Sequence, residues 1–144
     1  MTLAIRPASP EDREWLFELH EAAMRERVER NHGSWERDDQ RERFFDREET
    51  DVRIVLVDDV AVGAVHLADG PDDSLHIGLL EVHPASQGQG VGTKVLGALD
   101  EEAARAGRAL TLGVRRDNPA LRLYRRLGFR VTSEDATHLQ MQRS

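Results

Sequence analysis

Several residue types that support particular chemistries are rare or missing in this chain of 144 residues. There is no cysteine, which excludes disulfides, thiolate metal ligands and a cysteine nucleophile, so any reacting thiol must come from a cofactor. The lack of cysteine favours a reducing cytoplasm as the expected compartment. No apolar run reaches the length of a membrane span, and residues 1–7 lack the apolar h-region of a signal peptide. The length predicts a single domain over residues 1–144.

Acidic and basic residues are unevenly distributed along the chain. Residues 1–60 hold 10 arginines and 17 acids, which gives the whole net charge of −7, whereas residues 61–144 hold 10 basic and 10 acidic residues. This balance disfavours a nucleic-acid partner, because such a protein needs a basic surface. The acidic half is explained either by solvated helix faces or by attraction of a cationic small molecule. The six histidines show no metal-site spacing, so no metal is expected.

The apolar pattern predicts one mixed α/β sandwich in the order β-α-α-β-β-β-α-β-α-β-β. Ser9-Pro10 signals the start of a first helix that runs to about Arg30, and Asp58-Asp59 between two β-branched runs predicts a hairpin. Gly107 is expected to end a helix in the left-handed conformation. Strands are predicted over 2–6, 53–57, 60–67, 75–82, 109–114, 129–132 and 137–141, further helices over 35–49, 91–106 and 119–127, and a loop over 68–73.

The glycine-rich stretch 87–92, Gln-Gly-Gln-Gly-Val-Gly, is the most informative segment. It follows an apolar strand and opens a helix. Alternate glycines leave backbone N–H groups uncovered at the positive end of the helix dipole, where phosphate oxygens bind. A Walker A loop is excluded because Thr93 and Val95 stand where that motif needs glycine and a hydroxyl residue. The dinucleotide fingerprint is excluded as well. It requires glycine at position 93, and it follows the first strand of its fold, whereas this loop follows the fourth predicted strand.

The loop instead matches the pattern Gln/Arg-x-x-Gly-x-Gly/Ala through Gln87, Gly90 and Gly92. It thereby resembles the acyl-CoA loop of the GCN5-related N-acetyltransferase (GNAT) superfamily, and strong similarity covers about residues 75–131. The resemblance implies a mixed, mostly antiparallel central sheet with a splayed fourth strand and about four flanking helices. A second segment is similar to the family signature N-x-x-A-x-x-x-Y-x-x-x-G-F, with Asn118, Tyr124, Gly128 and Phe129 in register.

The resemblance implies acetyl-CoA as co-substrate. Backbone N–H groups from Gly88 to Thr93 are expected to hold the pyrophosphate, and Gln87 is expected either to brace the loop or to contact the ligand. The N–H of Val82 is expected to face the thioester oxygen. Asn118 directly precedes Pro119 and so occupies the position of a helix N-cap. Its role is either capping alone or capping together with a contact to the cofactor. The implied cofactor-binding residues are Leu80, Val82, Gln87, Gly88, Gln89, Gly90, Val91, Gly92, Thr93 and Asn118.

Tyr124 is the general acid that the resemblance implies, with packing on a helix face as the alternative. A base is also needed, because an alkyl amine with a pKa near 10.4 is only about 0.04% neutral at pH 7. The candidates are Glu81, His76 and His138, each of which is otherwise a half-exposed strand residue. Strand alternation places the Glu81 side chain on the face opposite Leu80 and Val82, but it does not determine whether that face is directed toward the acceptor.

One position departs from a branch of the family. Gly113 stands where the enzymes that acetylate ribosomal protein N-termini carry a glutamate base, and this disfavours that branch. Trp35 is either a packing residue or a wall of the acceptor pocket.

The predicted function is transfer of an acetyl group from acetyl-CoA to a primary amine by direct attack in a ternary complex. In this fold the first two helices border the acceptor cleft, and their acidity predicts a small cationic acceptor such as a polyamine, an aminoglycoside-like compound or an amino-acid derivative. A protein N-terminal or lysine acetyltransferase and a non-catalytic acyl-CoA-binding module are the alternatives. A homodimer is the general default for assembly.

Overall fold

Seven strands and four helices make up the described part of the chain, residues 1–47 and 51–144 of a computed structural model. The strands are β1 (Leu3–Pro7), β2 (Asp51–Val57), β3 (Val60–Asp69), β4 (Leu75–Val82), β5 (Leu110–Arg115), β6 (Arg130–Glu134) and β7 (His138–Arg143). They form one sheet in the order β1-β2-β3-β4-β5-β7-β6. The β4–β5 pair is parallel and the other neighbouring pairs are antiparallel, which confirms the predicted mixed, mostly antiparallel sheet.

The four helices are α1 (Arg13–His32), α2 (Arg37–Phe45), α3 (Val91–Arg105) and α4 (Leu121–Arg126). The first begins later than predicted because Pro10–Asp12 forms a 3-10 turn. The Asp12 carboxylate accepts the Ser9 N–H at 2.8 Å and thereby caps this turn. Trp35 precedes α2 rather than lying in it, and the end predicted for this helix at Glu49 lies outside the described residues.

Local turn chemistry explains most element boundaries. Asp58 and Asp59 adopt φ of 49° and 68°, as a tight hairpin turn of the predicted kind requires. Gly107, with φ of 68°, ends α3 as predicted. The loop predicted over 68–73 is wrong at its start, because Ala68 and Asp69 continue β3 and pair with β4.

Two apolar layers cover the sheet. On one face α3 packs against the sheet through Val91, Val95, Leu96 and Leu99. On the other face α1 and α2 pack through Leu16, Phe17, Leu19 and Phe44 against Ile54 and Ala64 of the sheet. Burial of these side chains removes apolar surface from water on both faces, which is the main term that holds such a three-layer domain together.

The fourth strand separates from the fifth. Only Leu75, His76 and Ile77 of β4 pair with β5. On the other edge of β4, Leu67 opposes Ile77 and His66 opposes Leu79, so Gly78 is an extra residue that forms a β-bulge. The Gly78 carbonyl accepts a hydrogen bond from Arg47 at 3.2 Å. Because a bulge bends its strand, β4 leaves β5 directly after Ile77, and a wedge opens between the two strands, as the family resemblance implies.

Candidate active site

The wedge opens into a cavity of about 720 Å³. Most of the predicted cofactor-binding residues line it, whereas Gln89 is exposed and lies outside the lining. The lining residues come from four places, namely α1, the end of β4, the glycine loop with the start of α3, and α4 with the turn before it. They are Arg27, Leu80, Val82, Ser86, Gln87, Gly88, Gly90, Val91, Gly92, Thr93, Leu96, Asn118, Pro119, Ala120, Leu123, Tyr124 and Arg126.

The backbone at the end of β4 faces two directions in alternation. The His83 N–H donates to Val62 at 2.7 Å, so His83 and, two residues earlier, Glu81 direct their backbone groups toward β3. Leu80 and Val82 therefore direct their N–H and C=O groups into the wedge, where β5 does not pair with them. The Val82 carbonyl accepts a hydrogen bond from Gln87 Nε2 at 2.9 Å, which braces the loop against the strand. Within the described residues the N–H groups of Leu80 and Val82 have no partner on β5, so they are available to a bound molecule.

The glycine loop presents backbone donors to the same cavity. The first backbone bond of α3 runs from the Lys94 N–H to the Gly90 carbonyl at 3.1 Å, so the N–H groups of 91–93 have no helical partner. Gly88 and Gly90 adopt φ of 76° and 81°, which favours glycine at both positions. Gly92 has no such φ, and a Cβ there would meet nothing within 4 Å. Its small size therefore leaves open space beside the donors, and this arrangement fits a phosphate group.

The second sequence signature completes the opposite wall. Asn118 Oδ1 accepts the Ala120 N–H at 2.8 Å and so shapes the turn that leads into α4. The Tyr124 ring packs edge-on against Phe129, with ring centroids 5.9 Å apart, and the residue also lines the cavity. Tyr124 thus combines packing with access to the cavity. Burial raises the pKa of the Tyr124 phenol above its ordinary value, so the hydroxyl stays protonated at neutral pH.

Glu81 lies on the opposite face of β4 from the cavity lining, toward α1. Its carboxylate Oε2 lies 2.9 Å from His20 Nδ1, and the side chains of Glu81 and His20 are only 4% and 13% exposed. The His20 ring stacks on Phe44 at 4.8 Å between centroids and lies 6.1 Å from the ring of Trp35. A buried carboxylate is unfavourable unless it is paired, so the contact with His20 stabilises Glu81 on the α1 side of β4.

The other two candidate bases lie elsewhere. His76 Nδ1 lies 2.8 Å from Thr111 Oγ1, at the closed end of the wedge. His76 lies five positions before Glu81 on β4, up to about 16 Å along an extended strand, so the two cannot contact one amine nitrogen together. His138 begins β7, and its Nδ1 lies 2.7 Å from Thr137 Oγ1 at the surface. Among the described residues no three histidine or acidic side chains cluster as a metal site would require.

Sequence reasoning missed His20 and Arg27. Both lie on the inner face of α1, which otherwise carries apolar residues such as Leu16 and Met24. A polar residue on an apolar helical stripe is the signal that would have identified them. Trp35 is 9% exposed and donates from Nε1 to Glu21 at 2.8 Å, so it is anchored in the layer between α1 and α2.

Comparison with known proteins supports these features. The model of the acetyltransferase (GNAT) family matches residues 15–129. A curated relative, the L-methionine sulfoximine/L-methionine sulfone acetyltransferase of Salmonella typhimurium, is 46% identical over 55 residues. This segment covers 37% of the chain and 32% of the relative, so the match spans about a third of that protein's length. No helix within residues 1–47 and 51–144 has the length and apolarity needed to cross a bilayer.

Solved structures share the whole fold. The PaiA N-acetyltransferase from Thermoplasma acidophilum, determined with coenzyme A, has a TM-score of 0.76 and 21% identity, with 100% of this chain and 99% of that chain covered. An acetyltransferase from Thermus thermophilus has a TM-score of 0.78 and 19% identity, with 99% and 97% covered. The ribosomal-protein-S18-alanine N-acetyltransferase from Escherichia coli has a TM-score of 0.72 and 19% identity, with 98% and 92% covered.

Proposed function

This chain belongs to the acetyltransferase (GNAT) family, and on that premise we propose that it transfers an acetyl group from acetyl-CoA to a primary amine of a small molecule. The observation that carries the proposal is the convergence of three elements on one cavity. These are the unpartnered N–H groups at the start of α3, the wedge-facing backbone of β4 and the Tyr124 side chain. Together they supply a phosphate site, a site for an extended amide-bearing chain, and an acid.

The donor side is built for a diphosphate with a long amide-containing arm. The N–H groups of residues 91–93 bind phosphate oxygens at the positive end of the α3 dipole. Leu80 and Val82 pair with the amides of the arm, in the way that a neighbouring strand would pair with them. When bound, acetyl-CoA supplies the thioester that the amine attacks, with loss of the CoA thiolate.

The chain's own residues assist that reaction at three points. The Val82 N–H donates to the thioester oxygen as negative charge develops, an effect worth about 3 kcal/mol for one preorganised donor. Tyr124 donates its hydroxyl proton, or a hydrogen bond, to the leaving sulfur. Glu81, one residue before Val82 and held by His20, accepts the proton that the attacking amine loses, directly or through a water molecule. Direct attack requires no covalent enzyme intermediate, in agreement with the absence of cysteine.

The name of the Salmonella relative, an acetyltransferase of two amino-acid analogues, supports a small amine as acceptor. The acidic first sixty residues further predict an acceptor whose amine is cationic in solution. Several of these acids form ion pairs with arginines, as in Arg6–Asp12, Arg37–Glu21 and Arg41–Glu14, which favours solvated helix faces for those acids. A preference for cationic acceptors predicts that kcat/KM falls as ionic strength rises. An amine panel with no preference for positively charged acceptors and no weakening with salt would contradict this hypothesis.

The proposed function is tested by calorimetric titration with acetyl-CoA and by a thiol-release assay over a panel of amines. We expect saturable acetyl-CoA binding and turnover with small primary amines. Binding without turnover on any amine or peptide would instead indicate a non-catalytic acyl-CoA-binding module. Turnover restricted to peptides would indicate a protein N-terminal or lysine acetyltransferase. A chain that does not bind acetyl-CoA would refute the assignment of the cavity.

A further inference from the structure

The charged side chains that line the cavity are all cationic. They are Arg27 of α1 and Arg126 of α4, and no described carboxylate lines the same cavity. Arg126 is exposed near the Asn118 turn, whereas Arg27 is half-buried on the inner face of α1. The two guanidinium groups therefore lie in different surroundings, and Arg27 is the one that the fold partly withdraws from water.

Within the described residues, Arg27 differs from Arg25 and Arg30, its neighbouring arginines on α1, in having no ion-pair partner. Arg25 pairs with Glu29 and Arg30 pairs with Glu26, in both cases one helical turn apart. Arg27 makes no ion pair with any residue in the described ranges 1–47 and 51–144, although the helix around it is rich in acids. A partly desolvated guanidinium gains most from an anionic partner, and its planar fork fits a carboxylate with two parallel hydrogen bonds.

Arg27 lines the cavity together with the glycine loop, and its helix also carries the residue that contacts Glu81. It belongs to the α1 layer, on the face of the sheet opposite α3. His20, which holds Glu81, lies seven residues earlier on the same helix. Seven residues are nearly two full turns, so both side chains share one helix face about 10 Å apart.

We infer that the acceptor is an amine that also carries a carboxylate, and that Arg27 binds this carboxylate. The inference rests on the proposed acetyl transfer and narrows its acceptor class to amino acids and their derivatives. With the carboxylate held by Arg27, the amine is directed toward Val82 at the end of β4, the residue that follows Glu81. Polyamines and aminoglycoside-like compounds, which lack the anion, are then poor acceptors because two arginines and no described acid line the cavity.

The first experiment compares matched acceptors on the wild-type protein and on Arg27→Gln. L-Methionine sulfone, other L-amino acids, the corresponding amino-acid amides and spermidine serve as acceptors in the thiol-release assay. We expect the wild type to prefer a carboxylate-bearing acceptor to its amide by about 30-fold in kcat/KM, the effect of losing hydrogen bonds to a charged group. R27Q should raise KM for the amino acid by a similar factor and leave kcat within about threefold. It should change KM for the amide little.

Matched variants separate recognition from structure and from cofactor binding. Arg25→Gln, on the exposed side of the same helix, should leave all constants unchanged, and Arg27→Lys should recover part of the affinity. Calorimetric affinity for acetyl-CoA should be the same in R27Q and the wild type. A drop in that affinity would assign Arg27 to the cofactor phosphates and overturn the inference, and so would equal turnover of amino acids and amides.

A direct binding titration distinguishes failure of the inference from failure of the proposed function. L-Methionine sulfone is titrated into the wild-type protein saturated with CoA, and the same titration is made with R27Q. Binding that R27Q loses supports the carboxylate site even if no amine in the panel is acetylated. If other amines are acetylated but no amino acid binds, the carboxylate site is refuted and the proposed acetyltransferase activity is supported.

Discussion

Replacement of Tyr124 by phenylalanine tests the proposed role of Tyr124 as general acid with the smallest change that the site allows. The substitution removes one oxygen atom and keeps the ring that packs edge-on against Phe129. The fold and the cavity wall are therefore expected to persist, with a change in unfolding free energy below about 1 kcal/mol. Any large effect on the rate must then come from the hydroxyl group.

Two pKa values limit how Tyr124 can act as an acid. A phenol near pKa 10 that gives its proton to a thiolate near 8.5 does so uphill by about 2 kcal/mol. Burial raises the pKa of Tyr124, which makes complete transfer still less favourable. Donation must therefore accompany cleavage of the C–S bond or stop at a hydrogen bond to the sulfur. Either contribution predicts that Tyr124→Phe lowers kcat by about 10²-fold.

The assay is thiol release at saturating amine, together with calorimetric affinity for acetyl-CoA. Affinity should be unchanged, because the hydroxyl acts on charge that develops only in the reaction. The raised pKa keeps the hydroxyl protonated below about pH 10, so Tyr124 should cause no alkaline loss of rate below that pH. An unchanged kcat in the variant would remove Tyr124 from the mechanism and leave it as a packing residue.

Further substitutions test other parts of the structure. Glu81→Gln should lower kcat by about 10²-fold while His76→Gln changes it little; the opposite ranking in the thiol-release assay would make His76 the base. Gly63→Ala should destabilise the fold by about 1–3 kcal/mol in chemical denaturation, because a Cβ there would lie 2.5 Å from the Glu81 carbonyl oxygen; an unchanged midpoint would contradict that contact. Hydrogen bonds from Arg6 and from the Ser9 N–H hold the pKa of Asp12 well below its usual range, so this carboxylate stabilises the fold above about pH 4 and the contribution disappears as pH falls below that. Asp12→Asn should therefore weaken the acid dependence of the melting temperature, and parallel wild-type and variant profiles would argue against it.

Features that depend on neighbouring residues could be predicted from the sequence. The Asp58-Asp59 hairpin, the Gly107 helix end and the glycine loop are each specified by a few consecutive residues with distinct backbone preferences. The order of the elements followed from local apolar patterns in the same way. The first turn of α1 differed because Pro10 fits a 3-10 turn as well as a helix.

Features that depend on distant residues could not be predicted. The contact between Glu81 and His20 joins residues 61 positions apart, and no spacing rule applies across that interval. Alternation along β4 placed Glu81 opposite Leu80 and Val82, but its direction depended on which helices pack on each face. Arg27 is one of ten arginines in residues 1–60, and no sequence pattern indicates that its neighbours Arg25 and Arg30 form ion pairs whereas Arg27 forms none among the described residues.

The bulge at Gly78 has a consequence for chain length. A chain that lacked this residue would keep the observed alternation, with Ile77 and Leu80 on one face of β4 and Leu79 on the other, so both apolar layers could form as before. The strand would lose its bend and could continue to pair with β5 beyond Ile77. Such a shortened protein would have a continuous sheet with more internal hydrogen bonds, and it would lose the wedge. Insertion of one residue thus lowers the stability that a continuous sheet would have. It also creates a site at which another molecule can hydrogen-bond to β4.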